Sequence, residues 1–264
     1  SSIKVYFVLN LFFYIYGYDL FFVVIRMILV YRALYKALEF TGDAMAYLDM
    51  DSRFSLCNMA IEAGGKSGII AVDDITKEFL SKVNLRSEPK LHYSDEGANY
   101  DQIITIDVSK LEPVIAYPYL PSNGKSVSQA VKDDIKIDQA FIGSCTNGRL
   151  SDLRIAAQIL KGKRVAKHTR LIITPATQKI ALQAQKEGLM DIFVEAGAVV
   201  SNPTCGACLG GYMGILGAGE RCISTTNRNF VGRMGDRTSE VYLANSAVAA
   251  ASAIAGKIVD PRDI

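Results

Sequence analysis

From Gln139 to Ala255 the chain repeats one pattern, a short apolar run followed by a segment whose apolar residues recur at helical spacing. Runs at Gln139–Gly143, Arg170–Thr174, Cys222–Thr225 and Val241–Ala244 have strand length, and Ala198–Val200 adds a shorter one. Leu150–Leu160, Ala176–Glu187 and Ser246–Ala255 carry the helical period between them, and a further helix is expected after Gly210. Strand and helix in regular order demand a mostly parallel sheet covered by helices, an α/β fold. Ligands in such sheets bind beyond the carboxyl ends of the strands, so the turns after those strands are where chemistry is sought.

The first half is less regular. Val5 to Tyr31 is apolar enough to match the length of a membrane span, but Asn10, Gly17, Asp19 and Arg26 interrupt it. A buried helix is the expectation, with Leu20, Val23, Val24, Met27, Tyr31, Leu34, Tyr35 and Leu38 forming one helical stripe from Asp19 to Phe40. Asp49–Gly64 reads as a second helix, Ile69–Val72 as a strand, Thr76–Val83 as a helix and Gln102–Val108 as a strand. Pro118–Ser126, with two prolines and Asn123-Gly124, reads as a linker. It sets a boundary between residues 1–122 and 123–264, with residues 1–16 unassigned. Lys plus Arg (29) nearly balance Asp plus Glu (27), so the net charge of +2 gives no field that argues for nucleic acid or an anionic membrane. Five cysteines with a Cys-x-x-Cys pair and no signal peptide point to a reducing compartment, with the cytoplasm as the default.

Three of those cysteines lie on glycine-bounded turns, Gly143-Ser144-Cys145-Thr146-Asn147-Gly148 and Thr204-Cys205-Gly206-Ala207-Cys208-Leu209-Gly210. Closed structural zinc sites and electron-transfer clusters take four protein ligands, so three thiolates describe a metal site with one corner open. A redox pair at Cys205 and Cys208, or a zinc site that recruits Cys222, are the other readings. Cys57 and Cys222 sit among apolar neighbours and read as core. Asn227-Arg228-Asn229-Phe230-Val231-Gly232-Arg233 puts two guanidiniums and two carboxamides on one loop, a clamp suited to the carboxylates of a small di- or tricarboxylic acid. Asn58 and Glu62 are four apart and are expected on one helix face. His92 and His168 have no partner at ligand spacing.

In that order, Gly-Ser-Cys-Thr-Asn-Gly-Arg, Pro-Thr-Cys-Gly-Ala-Cys-Leu-Gly and Thr-Asn-Arg-Asn-Phe-Val-Gly-Arg resemble the aconitase superfamily. Tyr35–Phe40 and Asn58–Gly64 fit it too, so the resemblance covers about Asp19 to the C-terminus. It implies three-layer α/β domains and a [4Fe-4S] cluster held by Cys145, Cys205 and Cys208. The fourth iron would take the substrate's hydroxyl, carboxylate or water. Carried over residue by residue, Arg228 and Arg233 would grip carboxylates with Asn227 alongside, while Asn58 and the catalytic Glu62 would lie near the hydroxyl. The activity implied is that of a hydro-lyase large subunit converting 2-isopropylmalate to 3-isopropylmalate in leucine biosynthesis. Homoaconitate and citramalate are alternative substrates, and a non-catalytic metal or iron–sulfur scaffold is the alternative of another kind.

The departures set a second expectation. The family's Asp-Ser-His-Thr segment and a second histidine segment are not found here, and its base-bearing swivelling domain belongs to a separate small subunit. The chain is therefore expected to hold the cluster domain and part of a neighbour, and to be inactive without the small subunit and the N-terminal region.

Overall fold

The structure, a computed structural model, describes residues 2–9, 14–28 and 32–264. It forms two compact units, one of residues up to Phe21 with Met27–Leu111, the other of Phe22–Arg26 with Glu112–Ile264.

The first unit holds β1 (Ser2–Val8), α1 (Gly17–Ile28, shared with the second unit), β2 (Ala37–Thr41), α2 (Met50–Asn58), β3 (Ser67–Ile70), α3 (Asp74–Ser81) and β4 (Gln102–Asp107). The strands make an all-parallel sheet in the order β3-β2-β1-β4. Ile3, Val5, Phe7, Leu38, Phe40, Ile104 and Ile106 are buried at alternate positions, as a pleated strand with one covered face requires. Lys4 and Glu39, at the intervening positions, form an ion pair that Tyr100 joins with its hydroxyl.

The long helix expected from Asp19 to Phe40 is instead a 12-residue helix and a strand. Residues 32–35 form a turn with Tyr35 at a φ of 61°, and Leu38 and Phe40 then follow a period of two. The chain leaves the helix because β1 offers β2 a parallel ladder from Ser2↔Ala37 to Tyr6↔Thr41. The apolar stretch from Val5 is thus divided between a strand and a helix, and among the described residues no helix is long and apolar enough to cross a membrane. Asn10 and Tyr31 lie outside the described residues. Residues 2–8, unassigned from sequence, supply an inner strand of the sheet.

The second unit continues with β5 (Val114–Ala116), β6 (Gly124–Ser126), α4 (Val127–Ala130), β7 (Gln139–Gly143), α5 (Ser144–Asn147), α6 (Leu150–Leu160), β8 (Arg170–Thr174), α7 (Gln178–Lys186), α8 (Leu189–Ala196), β9 (Val199–Val200), β10 (Arg221–Ser224), β11 (Glu240–Leu243) and α9 (Ser246–Ala255). Its sheet runs β6-β5-β11-β10-β7-β8-β9, parallel from β11 to β9, with β5 and β6 antiparallel at one edge. The proline-rich Pro118–Asn123 segment is the turn of the β5–β6 hairpin and lies inside this unit, which starts at Glu112. Every residue of β7 is buried, as befits a central parallel strand. The alanines of α9 let it lie close against β7 and α6, while Asn245 caps its first turn by accepting from Val248 N–H and Gly256 closes it at positive φ. No helix lies between Gly210 and Arg221; that glycine-rich segment is a succession of turns.

Candidate metal and anion site

Because β7, β9 and β10 run parallel in one sheet, the turns that follow them leave from the same rim. Cys145 comes directly after β7, Cys205 and Cys208 after β9, and Asn227–Arg233 after β10. The first turn is sharp. Gly143 has a φ of 134°, and a Cβ there would lie 1.9 Å from the carbonyl oxygen of Thr174, so only glycine fits. Ser144 follows with a φ of 87°, a left-handed value that costs a serine about 1–3 kcal/mol. The sheet holds the turn in place: Thr225 Oγ1 accepts from Gly143 N–H at 2.8 Å and donates back to Gly143 O at 3.2 Å. Cys145 is thereby left exposed, between residues that are buried.

The second turn is a single 3-10 turn, Gly206–Leu209, in which Cys208 N–H donates to Cys205 O at 3.1 Å. Gly206, at a φ of 50°, rests against the ring of Phe141 in β7, and Gly210 faces the carbonyl of Arg233. Cysteine turn and arginine loop therefore abut.

Cys208 brings the groups together. Burial pushes its thiol pKa up; the Arg233 guanidinium, hydrogen-bonded to it, pulls the other way, and the thiols of Cys145 and Cys205 raise it further. All three cysteines and Arg233 thus act on one another across a short span. Among the described residues no three His, Cys, Asp or Glu side chains converge closely enough for one metal ion. A cube of iron and sulfide asks for something else, since each thiolate binds its own iron and the sulfurs stand around the cluster. Three free thiols on one rim, two of them exposed, suit such a group. Cys222, which a four-cysteine zinc site would need, is buried in β10, takes a hydrogen bond from Gln139 and has its pKa pushed up to about 12 by burial.

The arginine loop divides its side chains. Arg233 Nε is buried and has no hydrogen-bond partner, a cost of about 1–3 kcal/mol unless something accepts from it. Arg228 is half-buried on the same loop. Asn227 lies against the Cys145 turn, its Oδ1 accepting from Asn147 at 3.1 Å and its Nδ2 donating to Thr146 Oγ1 at 3.3 Å. Asn229 points the other way: it is fully buried and donates to Tyr117 O at 2.8 Å, tying the loop to the hairpin. Of the two carboxamides read as a clamp, one is structural.

Asn58 and Glu62 belong to the first unit. They do not share a helix face, because α2 ends at Asn58 and Glu62 falls in the 3-10 turn Met59–Ala63. At three residues per turn a spacing of four carries the side chain about a third of the way round. Asn58 is exposed and Glu62 buried. Asn147 and Thr146 escaped the sequence reading, although two polar residues behind a turn cysteine were the available signal.

A sequence model of the Aconitase family (aconitate hydratase) matches residues 2–256, so the match begins within β1 rather than near Asp19. The chain is 85% identical to the 3-isopropylmalate dehydratase large subunit of Campylobacter fetus over 99% of its own length and 62% of that protein's. It is 72% identical to the protein of that name from Wolinella succinogenes over 100% of this chain and 63% of the relative. The chain thus spans about three fifths of the length of the curated relatives it matches. Aconitase X from Thermococcus kodakaraensis, in its holo-form, superposes with a TM-score of 0.45 at 15% identity over 89% of this chain and 53% of that one.

Proposed function

This chain belongs to the aconitase family, and on that premise we propose that it is the cluster-bearing part of a hydro-lyase large subunit that converts 2-isopropylmalate to 3-isopropylmalate in leucine biosynthesis. The observation that supports it most directly is the contact of Arg233 with Cys208, which puts a buried, unclaimed guanidinium N–H beside three thiols. Cys145, Cys205 and Cys208 would hold a [4Fe-4S] cluster, which when bound supplies Lewis acidity at the one iron that lacks a protein ligand.

The chain's own residues bind and orient the acid. Arg233 and Arg228 present planar forks that grip carboxylates by paired hydrogen bonds, and Asn227 adds a neutral donor beside them. Gripping both ends of a malate-like half fixes which carbon faces the metal corner, so loss and return of water act on neighbouring carbons. On the motif Asn58–Gly64, Glu62 is assigned the proton at the substrate hydroxyl and Asn58 a separate contact with substrate. The proton on the neighbouring carbon goes to a base that the family places on a small subunit, the expected partner.

Anaerobic loading with iron and sulfide tests the proposal. The expected product is a cluster whose spectrum changes when 2-isopropylmalate is added, and Cys145→Ser should retain no cluster. One tightly bound zinc with no response to the acid would replace the enzyme with a metal scaffold. Assay of the full-length large subunit with the small subunit on isopropylmalate, homoaconitate and citramalate then identifies the substrate, and turnover by the 264-residue chain alone would refute the dependence on a partner.

A further inference from the structure

We infer that Asn147, buried at 2% exposure behind Cys145, is a positioning residue that sets the orientation of the Asn227 carboxamide toward substrate. The inference rests on the proposed reading of Asn227 as a substrate contact. A primary amide is nearly symmetric in shape and can present either its oxygen or its NH2 to a ligand. Here the choice is made by the neighbours. Asn147 Nδ2 donates to Asn227 Oδ1, which therefore must be the oxygen, and Asn227 Nδ2 donates to Thr146 Oγ1. Asn147 is itself fixed, because the same Nδ2 donates to Thr225 O at 2.6 Å. Thr225 in turn holds Gly143 at both its N–H and its carbonyl.

The consequence is a chain of fixed donors from the sheet to the ligand. With Oδ1 engaged by Asn147, Asn227 has an N–H left to give, since Thr146 takes only one of the two on Nδ2. A donor held in place suits a carboxylate or hydroxyl oxygen and rejects a cation, and holding it in advance spares its ordering cost on binding. The turn that carries a thiolate thus also fixes the polarity of the anion clamp. Nothing in the spacing from Asn147 to Asn227, eighty residues along the chain, foretells this.

A double-mutant cycle tests it on the cluster-loaded 264-residue chain, with 2-isopropylmalate as the probe and its dissociation constant as the readout. Asn227→Ala and Asn147→Ala are each expected to weaken binding about tenfold, and the double variant no more than either alone. Additive losses, or no loss from Asn147→Ala, would overturn the inference. Should Asn147→Ala fail to fold, Thr146→Val, which keeps the volume and removes the acceptor, carries the same test, and Thr146→Ser should restore affinity. Substrate-independent evidence comes from the side-chain amide resonances of Asn227 in chain labelled with 15N-asparagine, identified by their loss in Asn227→Asp. They should move in Asn147→Ala even if the wild-type chain binds no isopropylmalate, an outcome that would defeat the proposed substrate alone; resonances that stay in place would defeat the positioning role.

Discussion

Two arginines with a buried guanidinium nitrogen, one in each unit, show opposite uses of the same side chain. Arg53, 2% exposed in α2, has its guanidinium bound on every side: Nε donates to Leu48 O, the two terminal nitrogens to Met45 O, to Thr76 and to both oxygens of Asp73 at 2.6 Å. It ties the start of α3 to the turn before α2. Arg233 touches Cys208 and leaves Nε buried without an acceptor. A fully satisfied guanidinium is a fastener, and one with a dry, unclaimed N–H can still take up an anion, the role proposed above for Arg233. Arg53 is buried and Arg233 half-buried, but that difference does not set their roles. Satisfaction does.

That contrast breaks first at Arg53. Arg53→Met should destabilise the first unit by about 3 kcal/mol in urea unfolding, because Asp73 and two backbone carbonyls lose their donor together. A loss under about 1 kcal/mol would show the network to be ornamental. Arg233→Met is the mirror test. Unfolding stability should stay within about 0.5 kcal/mol of wild type or rise, since an unsatisfied polar atom is removed, while affinity of the cluster-loaded chain for 2-isopropylmalate falls about a hundredfold. Equal damage to folding would mean that Arg233 is a second fastener.

The smallest effect is a pH dependence. The Arg53 guanidinium, by its hydrogen bonds, lowers the Asp73 carboxyl from 3.8 to about 2 against the opposing effect of burial. A carboxylate whose pKa is depressed by folding contributes stability above its unfolded pKa and loses it as pH falls through the folded one. The stability gap between wild type and Arg53→Met should therefore be constant above about pH 5 and shrink between pH 4 and 2. A gap that does not change over that window would uncouple Asp73 from Arg53.

Legibility in the sequence followed locality. In the second unit β7, β8, α6 and α9 fall where short apolar runs and helical periods place them, because a buried parallel strand and a capped alanine helix each carry their signal within a few residues. The segment from Ala37 to Thr41 misled, since Leu34 and Leu38 match a helical stripe equally well; the ladders to β1 and β3 make it a strand. The hairpin turn at Pro118–Asn123 has a linker's composition and is inside the unit for the same reason, that β5 finds β11 more than a hundred residues later. Likewise the spacing of Asn58 and Glu62 pointed to one face, and the tightening of the helix into a 3-10 turn at Met59 separates them.

What the sequence by itself determined is the chemistry available and the family. Three cysteines on glycine turns and two arginines within six residues are local facts, fixed by residue identity and by which backbone conformations only glycine adopts. What only the tertiary structure decided is which of these groups meet and which way they face. Parallel pairing of β7, β8, β9 and β10 brings three turns to one rim, puts Arg233 on Cys208, turns Asn229 inward to the hairpin and hands Asn227 to Asn147. The reason is physical: a hydrogen bond between residues eighty positions apart depends on the register of strands that neither residue belongs to, and that register is settled by burial of the whole sheet.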